Sequence, residues 1–438
     1  MTKIHFVHVG NMNNKGTQAL FKSDVQVVSA LVKDVGISVS TTDIEGVKRL
    51  GLPLKAILPP MVDIPYERAD ALAKRRMTER RSLRYRGSTL AMLIYMLIQI
   101  PLTLISVILA KIGLKALYRN EVVNCVKNCD LVISHSDESF KEAASLLPLN
   151  LTWIVTWWSM LMSRTWEILV ARSFDKPVVL FPNSVGPFRT FVGRWLGRLS
   201  LGQCSLLLIR DPVSYEIVRR LGITSSKILT YDTALLFKAK KGKDTCRFSK
   251  PVVGISPGMY SNSLGPKELD NYILAHSRAL DNLIEEHGVS VAFLPHYISG
   301  FHLDDLEMCR MIHERMVHKD RAEIIETESV DEFKRLLDQM DMIVSSKMHP
   351  AVLGVSGFVP VLCIAYDHKQ TGFFSRLRME QCTIEIGSLS YQNLQEKMDY
   401  VWNNKNELSI LLRKTIPFWQ SNVTNAIKNA IRLNAKTQ

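Results

Sequence analysis

Asp341-Met342-Ile343-Val344-Ser345-Ser346-Lys347-Met348-His349-Pro350, then Ala351 to Gly357, then Phe358-Val359-Pro360-Val361-Leu362-Cys363-Ile364-Ala365-Tyr366-Asp367-His368-Lys369, is the stretch on which the fold turns. Asp341 to Val344 reads as a strand buried on both faces, the pattern of a parallel sheet. A lysine and a histidine follow, and a helix starts on them. Gly357 closes that helix, and Val359 to Ala365 is the next buried strand. This is a β-turn-α-β unit with a cation and an imidazole at its mouth. Parallel α/β sheets bind ligands at that mouth, and a helix N-terminus there favours an anion. The plainer reading of an isolated Lys-x-His is a solvated cap, so the rest of the chain must decide.

Working outward, the same pattern recurs. Ile4 to Val9 is a short apolar strand, and Gly10-Asn11-Met12-Asn13-Asn14-Lys15-Gly16-Thr17 leads from it into a helix ending near Lys33. The turn is neither a Walker A loop nor a dinucleotide fingerprint, because the glycine spacings of both are missing. Val178 to Pro182 is a buried strand, followed by the loop Asn183-Ser184-Val185-Gly186-Pro187-Phe188. Leu206 to Ile209 is the next strand. It ends in Arg210-Asp211-Pro212-Val213-Ser214, where Asp211 can cap a helix with Pro212 in its first turn. That helix runs to Leu221, with Gly222 after it, and Lys227 to Tyr231 leads to Asp232-Thr233-Ala234.

This ordered set resembles the polysaccharide pyruvyl transferase family. The resemblance rests on Asn11…Lys15-Gly16-Thr17-Gln18, Ser184-Val185-Gly186-Pro187-Phe188, Arg210-Asp211-x-x-Ser214, Asp232-Thr233-Ala234 and Ser346-Lys347-Met348-His349 with its Tyr366…Lys369 tail. It implies ketal formation. Phosphoenolpyruvate is the donor substrate, no cofactor or metal is required, and the acceptor is a saccharide or lipid-linked saccharide. Such a site needs cations for carboxylate and phosphate, a proton donor and a base. Under the resemblance the cations are Lys347 and Arg210, and His349 is the proton-transferring group or the ligand of departing phosphate. Asn11, Lys15 and Gly16 face the acceptor. Ser184, Gly186, Asp232, Tyr366 and Lys369 complete the binding set. His296, at a strand end, reads equally as surface. His135, Asp137 and Glu138 read as candidate bases or as capping loop residues. Two departures stand out. The family has arginine where Lys347 stands, and a lysine offers a point charge rather than a planar fork. The family's glycine-rich turn is replaced by Ser134-His135-Ser136-Asp137-Glu138-Ser139. A nucleotide-sugar glycosyltransferase of GT-B type and an inactive membrane-bound assembly partner remain as alternatives.

Composition sets the outer bounds. The 438 residues, 47% hydrophobic and 22% charged, are enough for two globular domains. Seven scattered cysteines without metal-ligand spacing fit a reducing compartment. Met1 to Gly10 reads directly into a core strand rather than a secretory signal. The net charge of +13 is unevenly placed: Arg68 to Arg86 holds eight Lys/Arg against two acids. Directly after it, Thr89 to Ala110 is uncharged and long enough to span a bilayer at roughly 20 residues. Lys111, Lys115 and Arg119 follow. Basic flanks on both sides, and Pro101 near the middle, read as a re-entrant hairpin or helix pair at an anionic membrane surface on the cytoplasmic face. A buried core hairpin is the alternative. A nucleic-acid partner is not expected, because the basic stretch lacks interleaved aromatic residues.

The expected layout is an N-terminal α/β domain (1–237) carrying the basic and hydrophobic insertion (about 68–119). A linker (238–250), a C-terminal α/β domain (251–389) and C-terminal helices (390–438) follow. Two doubly wound, Rossmann-like domains of this kind make a GT-B-type chain. The insertion is expected to be removable without harm to the sheet.

Overall fold

The computed structural model describes residues 1–62, 83–114, 120–142, 151–242, 250–258, 266–298 and 304–435. The chain divides into two compact units. Met1–Met12, Leu20–Asp232 and Asn422–Gln438 form the first; Asn13–Ala19 and Thr233–Ser421 form the second. The division falls before Thr233 rather than after Phe237. Asn13–Ala19 belongs to the second unit because its polar groups are satisfied there: Gln18 Oε1 accepts from Val330 N at 3.0 Å and Asn14 forms a bridge with Tyr297. The expected C-terminal helical piece is shared between the units. Residues 243–249 of the expected linker lie outside the described residues.

The first unit is built on a parallel sheet of order β3-β2-β1-β4-β5-β6-β7. Its strands are β1 (Thr2–Val9), β2 (Val35–Thr41), β3 (Leu54–Leu58), β4 (Leu131–Ser134), β5 (Val178–Asn183), β6 (Leu206–Ile209) and β7 (Ser226–Leu229). Its helices are α1 (Lys15–Leu31), whose first turn lies in the second unit, then α2 (Ile44–Arg49), α3 (Leu83–Lys111), α4 (Glu121–Asn128), α5 (Leu151–Ser173), α6 (Phe191–Gly202) and α7 (Pro212–Arg220). Residues 131–134, 178–183 and 206–209 are buried throughout, so these strands read as unbroken apolar runs and must be covered on both faces. The order reverses between β1 and β4, and right-handed crossovers then put α1 and α2 on one face and α3 to α7 on the other. One core cluster gathers Val107 and Ala110 of α3, Val122 of α4, Leu161 of α5, Leu196 of α6 and Val218 of α7.

The insertion differs from the expected hairpin. α3 is one helix running through Pro101. A proline in a helix interior removes one backbone hydrogen bond, but here packing on both sides of it holds the helix together. Met96 and Ile100 pack with Met162 and Trp166 of α5 before the proline, and Val107 and Ala110 enter the main core after it. Thr103 and Ser106 each donate to the carbonyl four residues back. Excising 88–114 would therefore strip one wall from the first unit, contrary to the expectation of a removable element. The basic residues at 68–82, with Lys115 and Arg119, lie outside the described residues.

The second unit holds β8 (Val252–Ser256), β9 (Ser290–Phe293), β10 (Ala322–Ile324), β11 (Met342–Ser345), β12 (Val361–Ala365) and β13 (Thr383–Glu385), parallel in the order β10-β9-β8-β11-β12-β13. Its helices are α8 (Pro266–His287), α9 (Asp305–Arg315), α10 (Val330–Leu337), α11 (Met348–Ser356), α12 (His368–Arg376), α13 (Tyr391–Asn403) and α14 (Lys405–Ala435), the last passing into the first unit near its end. The order reverses between β8 and β11. That switch point opens a crevice beyond the strand ends in a parallel sheet, and β11 delivers Lys347 and His349 to it.

Candidate active site

β11 ends at Ser345, and the chain turns there because Ser345 Oγ accepts from Lys347 N (3.1 Å) and donates to the Lys347 carbonyl (2.9 Å). Lys347 then stands at the N-cap of α11 without capping it through its side chain. Its ammonium is left to reach outward and lies 3.2 Å from Asp305 Oδ1. Asp305 is buried at the start of α9 and also accepts from Tyr297 N at 2.9 Å. Behind the turn, Ser346 shares a hydrogen bond of 2.6 Å with the Tyr272 hydroxyl, and Gln370 Nε2 donates to the Ser346 carbonyl.

His349, in the first turn of α11, stacks on His296 with ring centroids 6.1 Å apart. His296 follows β9 and is 2% exposed, yet neither of its ring nitrogens has a hydrogen-bond partner among the described residues. Burial, with His349, Lys347 and Lys15 nearby, pushes its pKa well below the usual histidine value, so the ring is neutral. An unbonded imidazole in a buried place is costly unless something else comes to it.

Lys15 and Gly16 join this group. Asn14 Oδ1 accepts from Gly16 N at 2.8 Å and fixes the start of α1. Lys15 is 4% exposed; its ammonium donates to the Pro295 carbonyl at 3.2 Å and lies over the Phe333 ring. Burial lowers its pKa to about 8, against the opposing pull of Asp305, Glu332 and Glu326. Gly16 lies against His349: a Cβ placed there would fall 2.2 Å from His349 Nδ1, so only glycine permits the approach. Lys15, Gly16, His296, Lys347 and His349 thus converge, although they come from opposite ends of the sequence. Lys15 and Gly16, expected to face the acceptor, stand in the same group as His349 and His296.

Arg210, Ser184, Gly186 and Asp232 form a separate cluster in the first unit. Arg210 Nε donates to Ser184 Oγ (2.8 Å), one terminal nitrogen donates to Asp232 Oδ2 (2.7 Å), and the other lies 3.6 Å from Glu138 Oε1. Lys141 is bonded to Glu138, so two cations face two carboxylates. Asp211 caps α7 through Ser214 N, and the Ser214 hydroxyl donates back to Asp211. Val185 N donates to Ser214 Oγ. Gly186 has φ +79° and an added Cβ would meet Ile217 at 2.9 Å. Arg210 was expected to grip a donor anion; here it lies between Asp232 and Glu138. His135, also in this unit, pairs through Nδ1 with the buried Asp24 at 2.8 Å and is fully buried. Glu138 takes part in the Arg210 cluster. Asn11 ends the first-unit strand region at partial exposure. Tyr366 is half exposed, and Lys369 is mostly buried beside it, with its ammonium 3.8 Å from Asp367 and over the Tyr366 ring.

Asp305, Tyr272 and Phe333 were missed from sequence. The paired acids Asp304-Asp305 at a helix start carried a signal: Asp304 caps α9 through Leu306 N and Glu307 N, which leaves Asp305 for Lys347.

Two parallel-sheet α/β units with polar residues at strand ends define a fold of the GT-B class. The fold is similar along nearly the whole chain to a Staphylococcus aureus MnaA–UDP structure (13% identity, TM-score 0.58, covering 99% of this chain and 98% of that one). It is also similar to the UDP-GlcNAc 2-epimerase of Neisseria meningitidis (12%, 0.56, 98% and 99%) and to Anabaena Alr3699/HepE in complex with UDP (10%, 0.56, 100% of both). At these identities the likeness is one of fold. The family model described as polysaccharide pyruvyl transferase matches residues 51–368, and the chain belongs to that family of transferases. The amylovoran biosynthesis protein AmsJ of Erwinia amylovora is 23% identical over 258 residues, an alignment spanning 55% of this chain and 61% of that relative.

Proposed function

We propose that the protein transfers the enolpyruvyl group of phosphoenolpyruvate to a saccharide of a cell-surface polysaccharide or its lipid-linked precursor, forming a pyruvate ketal. Two hydroxyls of the acceptor add to the central carbon of the donor. One hydroxyl proton ends on the methylene carbon, which becomes methyl; the other leaves with phosphate as the C–O bond to phosphorus-bearing oxygen breaks. The observation that carries this reading is a buried lysine, Lys15, brought beside Lys347, His349 and His296, the last without a hydrogen-bond partner among the described residues, at the switch point of a parallel sheet. Asp305 is the carboxylate in direct contact with Lys347, and the N-terminus of α11 adds its dipole. A group of this kind suits a carboxylate and a phosphate held close together. Lys15 and Lys347 neutralise the donor, His349 passes the proton or receives the departing phosphate, and neutral His296 donates one hydrogen bond and accepts another.

The test is phosphate release from phosphoenolpyruvate with a saccharide diol as acceptor. His349→Ala should lose activity by about 10²- to 10⁴-fold, the usual range for a proton-transfer group, with unchanged circular dichroism. Wild-type turnover in that variant would overturn the assignment. Thermal stabilisation by a UDP-sugar with none by phosphoenolpyruvate would overturn the donor.

A further inference from the structure

We infer that the outward face of α3 docks on an anionic lipid leaflet. α3 carries two apolar faces where an ordinary surface helix carries one. The inner face, with Met96, Thr103, Val107 and Ala110 all at 8% exposure or less, is built into the first unit. On the other side Leu97, Ile98, Leu102, Ile105, Ile108 and, just past the helix, Ile112 are 50 to 64% exposed. At about 100° per residue these fall in one arc opposite the inner face. No charged residue interrupts Ile94 to Ala110. A continuous exposed apolar strip of this kind marks an interaction surface.

The distribution of charge selects the occupant. Arg68 to Arg86 carries +6 before the strip, and Lys111, Lys115 and Arg119 follow it. A second copy of the chain would bring like charge against like. Anionic headgroups would instead attract both flanks. Among the described residues no helix is long and apolar enough to cross a membrane. The inner face of α3 is also committed to the core, so the helix has no freedom to turn into a span. It lies in the plane of the interface with its outer face among the acyl chains. This inference does not depend on the donor.

The experiment is flotation of the full-length protein with vesicles of phosphatidylcholine, with and without phosphatidylglycerol, at low and high salt. Wild type should float with the phosphatidylglycerol vesicles and be released by salt. The variant L97Q/I105Q/I108Q changes only exposed positions. It should stay at the bottom while keeping the wild-type melting temperature. K111E/K115E/R119E leaves the apolar strip intact and should weaken the preference for phosphatidylglycerol. Wild type that does not float at low salt, or an L97Q/I105Q/I108Q protein that floats equally well, would overturn the proposal. So would light scattering that shows a wild-type dimer dissociated by those substitutions, because the strip would then be an interface between copies.

Discussion

The two clusters of polar residues at strand ends differ in how fully they are satisfied. In the first unit, Arg210 meets Ser184, Asp232 and Glu138, Ser214 ties α7 to Val185, and the loop after β5 is closed around these bonds. In the second unit, among the described residues, Lys15 is buried with one carbonyl as its hydrogen-bonded contact, and His296 is buried with both nitrogens unbonded. The cluster after β5 and β6 thus sets its charges against one another, whereas the one at the reversal of the second sheet keeps a buried histidine without a hydrogen-bond partner among the described residues. Buried polar groups that satisfy each other stabilise local structure; those that do not are retained at a cost that a ligand can offset.

The comparison can be broken most severely at its two cations. Lys347→Ala should reduce phosphate release by about 10³-fold, in the range of a lost electrostatic contact to the reacting group, with a smaller loss of stability, because the buried Asp305 loses its ion-pair partner but still accepts from Tyr297 N. Arg210→Ala should do the reverse in kind. It leaves Asp232 buried without its partner, a loss of about 3 to 5 kcal/mol read by chemical denaturation. A folded, stable but inactive Arg210→Ala protein would move Arg210 back into the catalytic group.

A smaller effect is expected from pH. Lys15 titrates near 8 in the free protein, below its ordinary value because burial disfavours the charged form. As pH rises through about 8 the ammonium is lost, so KM for phosphoenolpyruvate should rise by roughly tenfold per unit beyond it. Bound anion should shift that midpoint upward, so kcat should fall at a higher pH than kcat/KM. Lys15→Met should have a high KM at every pH and no break near 8. The smallest change should come from Lys347→Arg. A guanidinium at the end of β11 can still meet Asp305 and an anion, so activity within about tenfold of wild type is expected.

The sequence made much of this legible, and the reasons are local. Val178 to Asn183 and Leu206 to Ile209 are unbroken apolar runs, and Asp211-Pro212 marks a helix start, so the strand-end positions followed from pattern alone. Lys347 and His349 were found because the turn after β11 lies within a few residues of its strand. The joining of Lys15 to them was not legible, since it depends on a contact spanning most of the chain, and neither was the match of Asp305 to Lys347. The course of α3 through Pro101 is not legible, because period and composition do not reveal packing on α5. Its length and apolar character were read directly.

The most direct measurement of the central claim is calorimetric titration of phosphoenolpyruvate into wild type, Lys15→Met and Lys347→Ala, each checked for folding. The account predicts saturable binding to wild type and at least about tenfold weaker binding for each variant, the equivalent of about 1.4 kcal/mol. Equal affinity in all three folded proteins would contradict it and place the donor away from the switch point of the second sheet.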